Sequence, residues 1–393
     1  MNWRIALLIA SAIAISYFDR QTLPIAIHAI QREIPISNTQ FSQLQAAFLL
    51  AYALMYAGGG KLIDVLGTHT GFLLIMAFWS LACASHGLAT GFGMLAASRF
   101  LLGMGEGGGF PAATKAVAEW YPVEQRGAAM GIINAGTAVG AVIAPPGIAL
   151  VIATLNWRWV FFLSGALGLL WTLWWWRASG PPQPESVVPQ PIPWLRLLTF
   201  PQVWGLVTAK FLSDSAWYFY LFWLPKYLYD VRGFDTKQVG YFAWIPYAAS
   251  GVGSLWGGWF TGRLIGAGRS LDFSRKRAMG ASVAVMPLIF FVTRTPVQLA
   301  IVLFSLAFAG QQSWSTLVMI LPADLFPRNA VGSVAGLVGF GGAMGGLVFG
   351  LVVGYLLDHG FGYQTVFAIV STLHVAAFGV VLLSVREVKR LCA

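Results

Sequence analysis

Residues 95–122 read Leu95-Ala-Ala-Ser-Arg-Phe-Leu-Leu-Gly-Met-Gly-Glu-Gly-Gly-Gly-Phe-Pro-Ala-Ala-Thr-Lys-Ala-Val-Ala-Glu-Trp-Tyr-Pro122. The run is apolar enough to sit in a bilayer, yet it carries Arg99 and Glu106 near its middle. An ionisable side chain at bilayer depth costs roughly 2.5 kcal/mol or more, so it faces a watery cavity or a partner. Seven helical residues at ~100° each return to within ~20° of the start, so Arg99 and Glu106 share one face about 10 Å apart. A cation and a titratable carboxylate on one cavity-facing stripe point to joint handling of an anion and a proton. The flanking Gly105, Gly107, Gly108 and Gly109 leave space around Glu106 and weaken the helix, and Pro111 favours a kink.

The surrounding composition sets the class. Of the 393 residues, 58% are hydrophobic and 10% charged, with mean hydropathy +0.71. Soluble domains carry about 25% charged residues, so the chain is expected to be a polytopic membrane protein. The net charge of +10 follows from basic residues clustered in particular loops rather than from a nucleic-acid surface. Cys83 and Cys392 make no disulfide framework or metal site. The N-terminus has a small-residue run at Ser11-Ala12-Ile13-Ala14, as a signal peptide would, but the apolar stretch continues to Ile30 and is long enough to span.

Hydropathy and turn residues divide the chain into twelve spans, near 3–31, 39–64, 71–89, 92–119, 127–153, 157–178, 200–229, 238–265, 277–293, 296–323, 330–357 and 362–385. The proline-rich stretch from Gly180 to Pro193 reads as a linker. The expected domains are therefore a bundle over 1–178, a cytoplasmic linker over 179–199 and a second bundle over 200–393. With the N-terminus inside, fourteen of the 24 Lys and Arg fall on inner segments and six on outer ones. Four lie within spans: Arg20, Arg99, Lys115 and Lys210. This bias predicts both termini on the cytoplasmic side.

The halves repeat each other. Gly60-Lys-Leu-Ile63 matches Gly262-Arg-Leu-Ile265. Tyr121-Pro122 with Gly127, Gly131, Gly136 and Gly140 matches Phe326-Pro327 with Gly332, Gly336, Gly341 and Gly345. Parallel repeats of six spans are a transporter plan with the site at the midplane, and glycine series let helix backbones approach closely.

Four groups of intramembrane charge are candidates. Asp19 and Arg20 diverge by ~100° on a helix and can serve different partners, Arg20 being suited to a bidentate grip on a carboxylate. Arg99 and Glu106 either handle ligand and proton or form a bridge between the fourth and first spans. Lys115 and Glu119 read as a pair at the end of span four, and Lys210 and Asp214 as a pair in span seven. Polar and aromatic residues for a sugar-like ligand are Tyr17, Gln45, Tyr52, Asn134 and Thr137 in the first half, with Gln311, Gln312, Ser313 and Trp314 in the second. There is no HExxH, P-loop or CxxC, and the five histidines show no metal-ligand spacing.

Three of these motifs, Tyr17-Phe-Asp-Arg20, Arg99-Phe-Leu-Leu-Gly-Met-Gly-Glu-Gly-Gly-Gly-Phe-Pro111 and Lys115-Ala-Val-Ala-Glu-Trp-Tyr-Pro122, resemble the anion:cation symporter family of the major facilitator superfamily. Gly131-Ile-Ile-Asn-Ala-Gly136, Phe219-Tyr-Leu-Phe-Trp-Leu-Pro-Lys-Tyr-Leu228 and Ala330-Val-Gly-Ser-Val334 are similar to its hexuronate branch. The resemblance implies an all-α membrane protein of twelve transmembrane helices in two pseudo-symmetric six-helix bundles. It implies proton-coupled import of a sugar-acid anion, such as glucuronate or galacturonate, by alternating access in a bacterial inner membrane. The expected partners are the anion, protons and the lipid bilayer, with no cofactor and no nucleic acid, and the carrier is expected to be a monomer. By position, Arg20 and Arg99 would contact the substrate carboxylate, Asp19 and Glu106 would carry coupling protons, and Tyr17, Gln45 and Tyr52 would line the site. Two departures stand out: Asp64-Val-Leu-Gly-Thr-His-Thr70 lacks the family's basic residues, and Thr137 stands where a longer amide is common. Another organic anion, anion exchange and a transporter-like sensor are the alternative readings.

Overall fold

The computed structural model describes residues 3–66, 68–120, 123–179, 194–326 and 328–389. The stretch 180–193 lies outside the described residues, as do Gly67, Tyr121, Pro122 and Pro327 of the sequence motifs and the side chain of Glu119. The chain is all-helical: α1 Arg4–Gln31, α2 Asn38–Leu66, α3 Thr68–Ser85, α4 Phe92–Gly107, α5 Gly109–Trp120, α6 Val123–Thr154, α7 Trp157–Ala178, α8 Trp194–Leu197, α9 Pro201–Asp230, α10 Thr236–Phe242, α11 Trp244–Gly266, α12 Leu271–Ala284, α13 Val297–Leu325, α14 Arg328–Asp358 and α15 Gly362–Ser384. A 3-10 segment, Met286–Arg294, continues α12. Leaving aside the four-residue α8, and taking α4 with α5, α10 with α11, and α12 with its 3-10 extension, gives the twelve expected spans. Among the described residues, seven helical segments are long and apolar enough to cross a membrane by length and composition. Others are interrupted by charge, as by Asp19 and Arg20 in α1, or by a break, as at Gly108 between α4 and α5.

Two compact units emerge, Met1–Val187 with Leu221–Trp244, and Val188–Tyr220 with Ile245–Ala393. Helix α9 contributes to both, since the first unit takes its residues from Leu221 onward. There the Tyr229 hydroxyl donates to the Ile25 carbonyl at 2.8 Å, and Trp223 meets Phe41 edge-on at 5.0 Å.

Glycine brings the helices together. A Cβ at Gly136 or Gly140 would stand 2.2 or 2.1 Å from the carbonyl oxygens of Ala10 and Ala14, so α6 lies directly on the backbone of α1. In the second unit, a Cβ at Gly345 would stand 2.0 Å from the Phe211 carbonyl oxygen, setting α14 on α9 in the same way. The glycine repeat read in the sequence is thus one packing device used once in each unit. Close approach also joins α4 to α2, where a Cβ at Gly103 would lie 2.1 Å from the Phe48 carbonyl oxygen.

The ninth span begins six residues before the expected 277, because Ser270 caps α12 by accepting from the Phe273 amide at 3.2 Å. Asn156 caps α7 through the amides of Arg158 and Trp159. The second unit's core gathers Trp314, Leu317, Leu321, Met279, Val338 and Val381.

Candidate functional site

In the first unit, α1 and α4 present their charged residues to each other. Arg20 Nε donates to Glu106 Oε2 at 2.7 Å, and the two side chains are 2% and 0% exposed. Ser16, one turn before Arg20, donates to the same oxygen at 2.7 Å. Further along α1, the Thr22 hydroxyl accepts from Arg99 Nη2 at 3.4 Å and donates to the Asp19 carbonyl at 2.6 Å. Arg99 and Glu106 therefore both turn toward α1, as two residues seven apart on one helix must. The bridge between spans four and one exists, and its cation is Arg20.

Aromatic rings complete the surroundings of Arg20. Its guanidinium lies 4.6 Å from the ring centres of both Tyr17 and Tyr52, and 5.6 Å from that of Phe48. Together such contacts hold a desolvated cation by about 1–2 kcal/mol. Tyr52 reaches this position because the backbone of α2 rests on Gly103 and Gly107 of α4. That register places Gln45, about one turn before Phe48, level with Arg99, about one turn before Gly103.

The four charges are not equally satisfied. Glu106 has Arg20 and Ser16 on one oxygen, while its Oε1 has no hydrogen-bond partner. Asp19 Oδ1 accepts from Ser164 on α7, and its Oδ2 has no partner. Arg99 is fully buried, its Nε and Nη1 have no hydrogen-bond partner, and no ion pair is found for it among the described residues. Both polar atoms of the buried Gln45 amide are likewise without partners. A buried guanidinium with idle N–H groups calls for an anion, and an idle amide calls for a ligand that donates and accepts.

The remaining sequence candidates fall elsewhere. Asn134 is exposed, and the Thr137 hydroxyl turns back to the Asn134 carbonyl at 2.8 Å. Lys115 Nζ donates to the Ile63 carbonyl at 3.4 Å. In the second unit, Lys210 Nζ reaches Asp214 Oδ1 at 2.9 Å and Ser315 Oγ at 2.8 Å, so the span-seven pair is formed. Gln311 donates to Asp214 at 3.3 Å, and its Oε1 meets His374 Nε2. The amide that looked available for a ligand is held at both ends. Gln312 is half-buried, and Ser313 shares a hydrogen bond with Ser282 at 2.6 Å. Trp314 is fully buried in the unit's core, its indole N–H without a partner. Sequence reasoning missed Ser16, Thr22, Ser164 and His374; of these only Ser16 carried a signal, standing one turn before Arg20 and next to the Tyr17-Phe-Asp-Arg20 motif.

Residues 9–271 match the Major Facilitator Superfamily. The chain belongs to that superfamily. It is thus a multi-pass membrane protein of a transporter family and not an enzyme. Across its length it is 29% identical to a hexuronate transporter of Escherichia coli (strain K12), covering 94% of this chain and 91% of that protein. It is 30% identical to a probable sulfoacetate transporter of Cupriavidus necator, covering 91% and 88%, and 28% identical to a D-galactonate transporter of Escherichia coli O6:H1, covering 96% and 94%. Among solved structures it resembles a bacterial homologue of the human lysosomal transporter Spinster in an inward-facing, occupied conformation, with TM-score 0.80, 16% identity and 98% of both chains covered. That likeness bears on the fold alone.

Proposed function

We propose that this protein is a proton-coupled symporter that imports a sugar-acid anion, a hexuronate such as glucuronate or galacturonate, by alternating access. The relatives named for hexuronate, galacturonate and galactonate transport support an organic-acid substrate. The observation that carries the reading is Arg99, a buried guanidinium with two nitrogens that have no hydrogen-bond partner and with no ion pair among the described residues. A substrate carboxylate supplies the missing charge and accepts from the guanidinium, either through Nη1 together with the second N–H of Nη2 or through Nε. The Gln45 amide then serves sugar hydroxyls, since it has a donor and an acceptor to offer.

Coupling follows from Arg20. In the structure its guanidinium is engaged by Glu106, so a substrate carboxylate that is to reach both arginines competes with that bridge. A proton placed on Glu106 removes the competing charge and frees Arg20, and Asp19 supplies the second protonation site of the reading. Substrate negative charge and carried protons then cross together, which lets the loaded carrier reorient without exposing an unpaired buried ion. We place the carrier as a monomer in a bacterial inner membrane, with both termini cytoplasmic.

Uptake of labelled glucuronate into proteoliposomes tests this. An inward proton gradient is expected to accelerate uptake, and Glu106→Gln to retain exchange while losing uphill accumulation. Uptake indifferent to the gradient refutes symport. The relatives named for D-galactonate and sulfoacetate favour one other reading, the same carrier with a different small acid. Competition by galactonate or sulfoacetate stronger than by galacturonate would decide for it.

A further inference from the structure

Helix hydroxyls in this protein mostly return to their own backbone. Ser80 donates to the Met76 carbonyl at 2.7 Å, and Thr172 to that of Gly168 at 2.9 Å, each four residues back. That is the default for serine and threonine in an apolar helix. Ser164 departs from it. Its hydroxyl crosses from α7 to α1 and donates to Asp19 Oδ1, 145 positions away in sequence. Both residues are buried, at 3% and 1% exposure. Glycine explains how it gets there: a Cβ at Gly165 would lie 2.6 Å from the Ser80 carbonyl oxygen, so α7 is drawn tightly onto α3 at this level.

Asp19 has little else. Its Oδ2 has no hydrogen-bond partner, the Cys83 thiol on α3 is the one further donor to the carboxyl, and no cation is found in an ion pair with it among the described residues. The titratable and charged groups facing it are Cys83 on α3 and Arg99 and Glu106 on α4, with Arg20 next to it on its own helix. Glu106 by contrast has a cation and a serine of its own, Ser16.

We propose that Ser164 is the positioning residue for Asp19, the hydrogen-bond partner that lets this carboxyl change its proton state without moving the helix. The inference rests on the reading of Asp19 as a proton carrier. A hydroxyl suits the task because it donates to a carboxylate and accepts from a carboxylic acid by rotating about one bond. When the O–H bond of the acid breaks, the proton passes to water and the electron pair stays on Asp19. The Ser164 hydrogen then turns to donate to the carboxylate. Alanine serves neither state. Threonine serves both, and there is room for its methyl, because Ser164 lines a crevice of about 110 Å³ with Phe18, Val151, Val160, Leu163 and Leu167.

The test is a pH titration of the reconstituted protein by infrared difference spectroscopy, with the Asp19 carboxyl band assigned by its loss in Asp19→Asn. Ser164→Ala is expected to displace the midpoint of that band by about one pH unit, the margin by which a hydrogen bond to the carboxylate outweighs one to the neutral acid. Ser164→Thr is expected to stay within a few tenths of the unsubstituted protein. Ser164→Val, which matches threonine in shape but lacks the hydroxyl, repeats the alanine result and stands in for it if alanine misfolds. A midpoint unmoved in both hydroxyl-free variants overturns the proposal. The spectroscopic readout needs no substrate, so its failure is separable from that of the symport reading, which falls if an inward proton gradient leaves glucuronate uptake by the unsubstituted protein unchanged.

Discussion

Arg20→Met removes the one cation bonded to Glu106 among the described residues and should show what the buried bridge is worth. The side chains are 2% and 0% exposed, so water cannot take over at either end. Breaking a buried pair by deleting one partner costs about 3–5 kcal/mol, because the other charge stays behind uncompensated. Losing the contacts with the Tyr17 and Tyr52 rings adds about 1–2 kcal/mol. Arg20→Met is therefore expected to cost about 4–7 kcal/mol, and Glu106→Leu, which strands Arg20 but keeps its rings, about 3–5 kcal/mol. The double variant strands nothing and fills the same space with apolar atoms, so it should lie within about 2 kcal/mol of the parent. Chemical unfolding of the purified protein in mild detergent, followed by tryptophan fluorescence, gives the double-mutant cycle, with a coupling of about 5 kcal/mol or more expected from these figures. A double variant that loses the sum of the two single losses would show that Arg20 and Glu106 do not act as a pair, and the coupling scheme built on their separation would go with it.

Two further outcomes test the fold. Gly103→Ala puts a Cβ 2.1 Å from the Phe48 carbonyl oxygen and should lower the melting temperature, an overpacking loss of about 1–3 kcal/mol outweighing a helix-propensity gain of about 1 kcal/mol; Gly258→Ala, with nothing within 4 Å, should raise it. Glu33 accepts from Arg158 and, at 3.1 Å, from the Trp157 indole, and the Arg158 hydrogen bond holds its carboxyl below the ordinary glutamate value. A depressed folded value stabilises the protein above the unfolded value and ceases to as pH falls through the folded one, so Glu33→Gln should be less stable than the parent at neutral pH and the gap should close below about pH 4.5.

The charged residues of the site stood out in the sequence because each interrupts an apolar span at a cost that only a function or a partner offsets. Helical arithmetic correctly put Arg99 and Glu106 on one face, since angles within a helix depend on spacing alone. It could not say that Arg20 would take Glu106, because partner choice depends on how α1 and α4 dock. The glycine repeat was readable as close packing, and the structure supplies the surfaces it meets, the backbones of α1 and α9. Polar residues were the weakest guide. Thr137 satisfies itself on its own helix, while Gln311 is held between Asp214 and His374. Ser164 looked like any other small residue among the glycines of its span. The missed start of α12 came from its hydrophilic first turn, Leu271-Asp-Phe-Ser-Arg-Lys276, which a hydropathy reading assigns to a loop and the Ser270 cap makes helical.

The 3-10 segment Met286–Arg294 makes the ninth span longer than the same residues would be as an α-helix. Nine residues wound at about 2.0 Å per residue reach about 18 Å, against about 13.5 Å as an ordinary α-helix. Rewinding it as an α-helix would draw Arg294 about 4.5 Å nearer to α12, with each i→i+3 hydrogen bond exchanged for an i→i+4 one and no residue added. The same winding change would rotate the aromatic side chains Phe290 and Phe291 relative to the helix before them, so length and torsion are linked in this span.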